Sequence, residues 1–326
     1  MTEHRINKVH FIGVGGVGMS GIARVAKEQG MEVSGSDLRE SRYTQQLREA
    51  GVKVFIGQSA SNLEGLEPDV VVVSTAILEN NPELKEAKRR NLTIWHRAKM
   101  LAALGVGHDT LAVAGTHGKT TTSSMLASVL DAMGYDPTFL IGGIVRAYGS
   151  NAHCGKGDYY VVEADESDKS FTYLDPTSVL ITNIEADHLD HYSGLSEIYQ
   201  LFGDFMGSVH EDGCCVVCGE DAGLVEAAKK TGKKVLTYGF SDECDTVVSN
   251  YETHGVSITF TVTLPDGTAL PCSIKQNPGR HNALNAAGVL TLLQTRGVDM
   301  AKAAEALSGF LGVRRRFDLV GEADGV

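Results

Sequence analysis

The sequence has little positive charge for its length. Its 326 residues contain 29 Lys and Arg against 41 Asp and Glu, which gives a formal net charge of −12. This excess of acid argues against a general nucleic-acid-binding surface, so no nucleic acid partner is expected. An anionic ligand would have to meet local positive groups, such as helix N-termini, Lys119 or the run Arg314-Arg315-Arg316.

Long apolar runs are also missing. No stretch approaches the roughly 20 residues of a membrane span, and the first residues lead into a predicted strand without the apolar core of a signal peptide. We therefore expect a cytoplasmic protein with no membrane partner.

A zinc-binding pattern is absent as well. The six cysteines include the C-x-x-C of Cys215 and Cys218, but no second pair follows at zinc-finger spacing. This favours a short buried strand over a metal site, and free cysteines fit a reducing compartment.

Two glycine-rich turns stand out in what is present. The first, GVGGVG at residues 13–18, follows the apolar run His10-Phe11-Ile12 and precedes a predicted helix, with Asp37 about 20 residues later. This is the layout of a Rossmann nucleotide site. Taken alone it suggests NAD, but the pattern itself indicates only that a diphosphate or similar anion meets a helix N-terminus.

The second turn lies in AGTHGKTTT, residues 114–122, between another apolar strand and a helix. Glycines there allow close backbone approach, Lys119 offers a charge for the β- and γ-phosphates, and Thr120 offers a hydroxyl for Mg²⁺. The spacing departs from G-x-x-x-x-G-K-[ST], because Val113 stands where the first glycine would be and Gly115 follows instead. A glycine turn without a ligand is the alternative.

Polar residues follow the neighbouring predicted strands. Glu163 ends the strand 159–162, where a second Mg²⁺ ligand is expected, although an acidic surface loop would look similar. Asp187, His188 and Asp190 follow the strand 179–182, which fits either a metal or phosphate role or plain polar surface.

A third group of polar residues opens a predicted helix near the C-terminus. His281, Asn282 and Asn285 lie at or in the first turn of the helix 282–295. Their side chains could cap that helix or read the edge of a purine base.

The order of elements predicts an α/β fold in two domains, as the length also suggests. Apolar strands alternate with amphipathic helices, which implies an N-terminal Rossmann-like parallel sheet domain over residues 1–107. Residues 108–312 are expected to form a P-loop ATPase-like α/β domain. An antiparallel piece is added over 256–274 around the turn Pro265-Asp266-Gly267, and 313–326 would begin a linker.

Several separated blocks, taken in order, resemble the Mur ligase family of ATP-dependent amide-bond-forming enzymes of bacterial cell-wall synthesis. The blocks are HFIGVGGVGMSGIA at 10–23, AGTHGKTTT at 114–122, EADESD at 163–168, DHLD at 187–190, GRHNALNA at 279–286 and RRF at 315–317. The resemblance extends over the whole chain.

The resemblance implies roles for individual residues. In the first domain it implies the UDP part of a substrate rather than NAD, bound by Gly16, Gly18, Met19, Ser20, Asp37 and Ser74. In the central domain it implies ATP, bound by Gly115, Thr116, His117, Gly118, Lys119, Thr120, Thr121, His281, Asn282, Asn285 and Arg316. It also implies one Mg²⁺ held by Thr120 and Glu163 and a second held by His188, with Lys119, Glu163 and His188 as the catalytic set.

Within the family, the first glycine block is most similar to members that join L-alanine to UDP-N-acetylmuramate through an acyl phosphate. Family members carry a third, C-terminal domain for the amino acid, so we expect these residues to bind ligands without turning them over. The alternatives are a recycling ligase that attaches a whole peptide to the same nucleotide sugar, an NAD-dependent oxidoreductase, and a nucleotide-sensing module without turnover.

Overall fold

The computed structural model describes residues 6–165, 170–185 and 194–313. These form two compact units. The first contains the chain up to Gly107 together with Asn151–Cys154, and the second contains His108–Ser150 and the chain from Gly155 onward.

The first unit is a five-stranded parallel sheet with flanking helices. Its strands are β1 (Lys8–Ile12), β2 (Glu32–Asp37), β3 (Lys53–Ile56), β4 (Val70–Val73) and β5 (Ile94–His96), in the order β3-β2-β1-β4-β5. Its helices are α1 (Val17–Glu28), α2 (Arg42–Glu49), α3 (Pro82–Arg89) and α4 (Arg97–Leu104). The strand order reverses direction between β1 and β4, and ligands of such sheets bind beyond the carboxyl ends at that point.

Burial of apolar strands on both faces holds this sheet between its helices. On one face Ile12 and Val71 pack with Leu63, Leu84 and Ala87, all of which are buried. A continuous apolar run such as β4, with four valines, is typical of a strand covered on both sides.

The second sheet is mixed and has ten strands. Its strands are β6 (Asp109–Ala114), β7 (Thr138–Val145), β8 (Ser150–His153), β9 (Tyr159–Glu163), β10 (Ser178–Ile181), β11 (Cys215–Cys218), β12 (Val235–Gly239), β13 (Thr246–His254), β14 (Ser257–Thr263) and β15 (Ala269–Ile274). Their order is β15-β14-β13-β12-β11-β10-β6-β9-β7-β8. All but the edge strand β8 lie in the second unit. The helices are α5 (Lys119–Ala132), α6 (Leu195–Gly207), α7 (Ala222–Lys230), α8 (Arg280–Gln294) and α9 (Met300–Leu307).

The sheet changes from parallel to antiparallel at one side. Strands β6, β9, β10, β11 and β12 pair in parallel, and β13 continues that direction beside β12. Strand β14 then returns antiparallel to β13, and β15 pairs antiparallel with β14. The predicted α/β class with an added antiparallel piece is therefore confirmed, and that piece includes β13, which the sequence did not indicate.

The cysteine-rich segment is a core strand, as predicted. Strand β11 is buried along its whole length between β10 and β12. Burial raises the pKa of the Cys215 thiol to about 12, and all six cysteines are free. No helix in the described part of the chain is long and apolar enough to cross a membrane.

Strand β7 was missed in the sequence, and it matters for the site. Its sequence TFLIGGIV contains two adjacent glycines, which look like a turn, yet the strand runs through them. A Cβ at Gly143 would lie 2.7 Å from Thr120 Cγ2. Glycine therefore lets β7 approach α5 closely.

Candidate functional site

The phosphate-loop sequence forms a tight turn between β6 and α5. Gly118 is the N-cap of α5 in a left-handed conformation with φ of 87°, and no side chain caps the helix. The start of α5 carries the positive end of the helix dipole beside this turn, and an anion is the natural ligand at that position.

Gly115 opens the turn, where no other residue would fit. Its φ is 129°, and a Cβ built there would lie 2.2 Å from Thr182 Oγ1. The turn is therefore pressed against the segment that follows β10.

Two residues that sequence reasoning missed hold the turn in place. Thr182 Oγ1 donates to the carbonyl of His117 at 2.6 Å, and Asn183 Nδ2 donates to the same oxygen at 2.9 Å. Asn183 Oδ1 in turn accepts from the His117 N–H at 2.9 Å. The available signal was their place directly after an apolar strand that pairs with β6.

Lys119 lies folded over this turn. Its Nζ donates to the carbonyl of Gly115 at 2.6 Å and lies 3.4 Å from the carbonyl of Thr116. The ammonium group is close enough to Glu163 to favour the ionised form of that carboxyl group. Lys119 thus places a positive charge beside both the helix N-terminus and an acid.

Glu163, the last residue of β9, is paired with the hydroxyl of Thr120. Thr120 Oγ1 donates to Glu163 Oε1 at 3.0 Å, and the Gly142 N–H donates to Oε2 at 2.7 Å. Burial raises the pKa of Glu163, while the bonds from Gly142 and Thr120 and the charge of Lys119 oppose that rise. A partly desolvated carboxylate of this kind gains from a nearby cation.

The Thr120 and Glu163 oxygens fit a magnesium ion. Mg²⁺ prefers oxygen ligands and is commonly held by one or two protein groups, with waters and phosphates completing the shell. No group of three or more His, Cys, Asp or Glu side chains in residues 6–165, 170–185 and 194–313 is arranged to hold a metal by itself. Two protein oxygens leave room for waters and phosphate oxygens, which suits an ion that arrives with a nucleotide.

The amides of α8 lie close to the phosphate loop, but they do not cap their helix. The N-cap of α8 is Gly279, which makes no side-chain cap bond, so the capping interpretation is wrong. Asn282 donates to the carbonyl of Asn277 at 3.1 Å, and Asn285 Nδ2 donates to Asn282 Oδ1 at 3.3 Å.

The Asn285 side chain lies against the loop at Gly118. A Cβ on Gly118 would lie 3.2 Å from Asn285 Oδ1. His281 is exposed one turn earlier in α8, beside Arg280, whose guanidinium lies 3.7 Å from the ring centroid of Phe240.

The glycine-rich turn of the first unit is fixed by β2. The N–H groups of Gly13 and Val14 both donate to the carbonyl of Ser36, at 2.8 and 2.9 Å. The Gly15 N–H donates to Asp37 Oδ2 at 2.8 Å. One carboxylate oxygen of Asp37 therefore holds the turn itself.

The other residues predicted for the UDP substrate surround this turn. Gly16 is the N-cap of α1 and makes no side-chain cap bond, and Gly18 is exposed in the first turn of the helix. Met19 and Ser20 are buried, with the Ser20 hydroxyl donating to the carbonyl of Val17 at 3.0 Å. Ser74 follows β4 at the same carboxyl edge of the sheet.

Two predicted residues of the central site, His188 and Arg316, are not among the described residues. Asp187 and Asp190, the neighbours of His188, lie outside them as well. Thr121, the last residue predicted for ATP, lies in the first turn of α5 and is half-buried.

Comparison with known proteins gives two family matches along the chain. Residues 8–108 match the model described as "Mur ligase family, catalytic domain", and residues 113–293 match "Mur ligase middle domain". A UDP-N-acetylmuramate--L-alanine ligase of Thermobifida fusca is 47% identical over 325 residues, which cover 99% of this chain and 68% of that protein.

Solved structures with a similar fold include two ligases. The UDP-N-acetylmuramate:L-alanyl-gamma-D-glutamyl-meso-diaminopimelate ligase of Neisseria meningitides is 31% identical with a TM-score of 0.85, over 95% of this chain and 100% of that chain. The UDP-N-acetylmuramate-alanine ligase of Thermotoga maritima is also 31% identical, with a TM-score of 0.82, over 97% of this chain and 71% of that chain.

Proposed function

The chain belongs to the Mur ligase family, and from that premise we propose that it serves the ATP-dependent joining of L-alanine to the lactyl carboxylate of UDP-N-acetylmuramate, with these 326 residues binding the two nucleotides without turning them over. The observation that carries this proposal in the structure is the group formed by Lys119, Thr120 and Glu163 at the uncapped start of α5. The 47% identity to an L-alanine ligase supports the choice of amino acid.

The proposed reaction has two steps. The lactyl carboxylate attacks the γ-phosphorus of ATP, which gives an acyl phosphate and ADP. The L-alanine amine then attacks the acyl carbon, and inorganic phosphate and a proton leave as the amide forms. Both steps bring anions together, so positioning and charge neutralisation are the main tasks of the protein.

The residues of the phosphate loop meet those needs. The N–H groups at the start of α5 would bind the phosphate oxygens, and Lys119 would exchange its carbonyl partners for the β- and γ-phosphates. Thr120 and Glu163 would hold Mg²⁺, which when bound supplies positive charge to the transferring phosphoryl group. His188 would hold a second Mg²⁺, and Arg316 would contact the phosphates.

The remaining ligand contacts follow from the position of each residue. Gly115, Thr116, His117, Gly118 and Thr121 would surround the phosphates, and His281, Asn282 and Asn285 on α8 would lie around the adenine. In the first unit Gly16, Gly18, Met19, Ser20, Asp37 and Ser74 would bind the UDP part of the substrate at the carboxyl edge of β1, β2 and β4.

A second candidate within the family is the ligation of a whole peptide to the same nucleotide sugar. It is favoured by the similarity to the Neisseria ligase, which has a TM-score of 0.85. The higher identity to an L-alanine ligase, 47% against 31%, favours the amino acid instead. Competition between L-alanine and the tripeptide for the acyl phosphate would separate the two.

A thermal-shift series tests which nucleotides the chain binds. The ligands are UDP-N-acetylmuramate, a non-hydrolysable ATP analogue with Mg²⁺, and NADH. A ligand at 100 times its Kd stabilises the folded state by about 2.7 kcal/mol, which gives a shift of a few degrees. We expect shifts with the first two ligands and none with NADH; a shift with NADH alone would replace the ligase with an oxidoreductase.

A further inference from the structure

A fully buried acid lies beneath the glycine-rich turn of the first unit. Glu83, the second residue of α3, has no exposed surface, and neither has His10 in the middle of β1. Neither residue belongs to the proposed substrate contacts. Burying a carboxylate costs several kcal/mol unless its bonds compensate, so its surroundings call for an explanation.

Four donors saturate the Glu83 carboxylate. Oε2 accepts from His10 Nε2 at 2.9 Å and from Ser36 Oγ at 2.8 Å. Oε1 accepts from the Ser59 N–H at 3.1 Å and from Asn62 Nδ2 at 2.7 Å. The donors come from three different segments, so one side chain ties together β1, β2 and the turn that follows β3.

The ligand-binding turn depends on one of these donors. Ser36, whose hydroxyl bonds to Glu83, offers its carbonyl to the N–H groups of both Gly13 and Val14. The donors on the Oε1 side of Glu83 lead to the end of β2 as well. Asn62 Nδ2 also donates to the Gly57 carbonyl at 2.8 Å, and the Gly57 N–H donates to the carbonyl of Asp37, the last residue of β2, at 2.8 Å.

The Glu83 carboxylate therefore holds Ser36 directly and Asp37 through Asn62 and Gly57. Asp37 in turn bonds to the Gly15 N–H. The path from Glu83 to the turn involves only hydrogen bonds of 3.1 Å or less.

We propose that Glu83 is a positioning residue for the sugar-nucleotide substrate: it fixes β2 at Ser36 and Asp37, and thereby sets the glycine turn that meets the diphosphate. This inference rests on the proposed function, since it assigns that substrate to the first unit. It adds a residue that touches no ligand but determines how well one is bound.

Replacement of Glu83 by glutamine tests the role. Glutamine has nearly the same shape but only one oxygen, so two of the four donors would meet an amide NH₂ group. We expect Kd for UDP-N-acetylmuramate, measured by calorimetry on this chain, to rise about tenfold or more, as loss of buried hydrogen bonds implies. Kd for the ATP analogue should stay unchanged, because that site is proposed in the second unit.

A milder variant and a matched control keep the test decisive. Ser36→Ala removes one donor and leaves the Ser36 carbonyl in place, so a rise in the sugar-nucleotide Kd of about threefold is expected. Arg90→Met removes two bonds just beyond the other end of α3, where Arg90 donates to the carbonyls of Leu63 and Leu66 at 2.8 Å each. It should lower Tm without changing either Kd.

The outcomes are distinguishable. If Glu83→Gln and Ser36→Ala lower Tm but bind UDP-N-acetylmuramate as the unaltered chain does, Glu83 is merely structural and the inference is overturned. If Glu83→Gln does not fold, Ser36→Ala alone decides in the same way. If the unaltered chain itself does not bind the nucleotide sugar, the proposed function fails and takes the inference with it.

Discussion

At the scale of a single residue, burial of the Glu163 carboxylate reduces the stability of the folded protein at a position that we propose holds Mg²⁺. The Glu163 carboxyl is desolvated between α5 and β7, which raises its pKa above the usual 4.5. The unfolded chain therefore releases this proton at lower pH than the folded protein does. Between the two pKa values the folded state binds more protons, so this group lowers the free energy of unfolding as pH rises.

Glu163→Gln should remove that pH dependence. The glutamine oxygen can accept from the Gly142 N–H, and its nitrogen can donate to Thr120 Oγ1, so both existing contacts survive. We expect the difference in Tm, variant minus unaltered chain, to increase from about pH 4.5 upward and then level off. Thermal unfolding at half-unit pH steps measures it; a constant difference would mean that Glu163 has the same pKa in both states.

Lys119→Ala should act on ATP alone. The loss of a charged donor to phosphate costs about 1.5–3 kcal/mol, so we expect Kd for the ATP analogue to rise at least tenfold. Kd for UDP-N-acetylmuramate should not change. Lys230→Ala, which removes an exposed ammonium paired with Glu226 at 2.7 Å, is the control and should change neither Kd.

Site residues could be predicted where the neighbouring sequence places them. They could not be predicted where their position depends on which strands pair in the sheet. Lys119 and Thr120 follow a glycine turn, and Glu163 ends an apolar strand, so each could be placed from its neighbours in the chain. Asn183 bonds to His117 from 66 residues away. Gly142 could not be named as a partner of Glu163 because strand β7 itself was missed.

At the scale of elements, the turn before α5 is defined by what surrounds it as much as by its own sequence. The loop needs a residue with a positive φ at position 115. It also needs one without a side chain, because Thr182 occupies the space where a Cβ on Gly115 would lie. The sequence indicates the first requirement through glycine. The second depends on β10 being the neighbour of β6, which only the fold reveals.

Gly115→Ala tests both requirements together. A left-handed φ near 70° costs an alanine about 1–2 kcal/mol, and Gly232→Ala measures that cost, because Gly232 has a φ of 71° with open space around it. The φ of 129° at Gly115 is less favourable still for an alanine. At Gly115 the new Cβ would also lie 2.2 Å from Thr182 Oγ1. We expect Gly115→Ala to lose at least about 1 kcal/mol more than Gly232→Ala in urea unfolding; equal losses would show that the turn can shift freely.

At the scale of the whole molecule, the α/β class with its parallel first sheet was predictable because each strand and helix has its own periodicity. The order β3-β2-β1-β4-β5 was not, since no local pattern encodes which strands become neighbours. That order is nevertheless what brings the ends of β1, β2 and β4 to one edge, and with them the turn at Gly13, Asp37 and Ser74.

Each unit contains its own sheet and its own uncapped helix N-terminus beside a glycine turn. If the two turns bind different ligands, each ligand should slow hydrogen exchange only in the unit that contains its turn. UDP-N-acetylmuramate should slow exchange at β1, β2 and the start of α1 by about tenfold, and the ATP analogue with Mg²⁺ should do so at β6 and the start of α5. NADH, the control, should protect neither. Protection of both turns by one ligand alone would contradict the assignment, because a ligand stabilises the segments that it contacts and leaves exchange by local opening elsewhere unchanged.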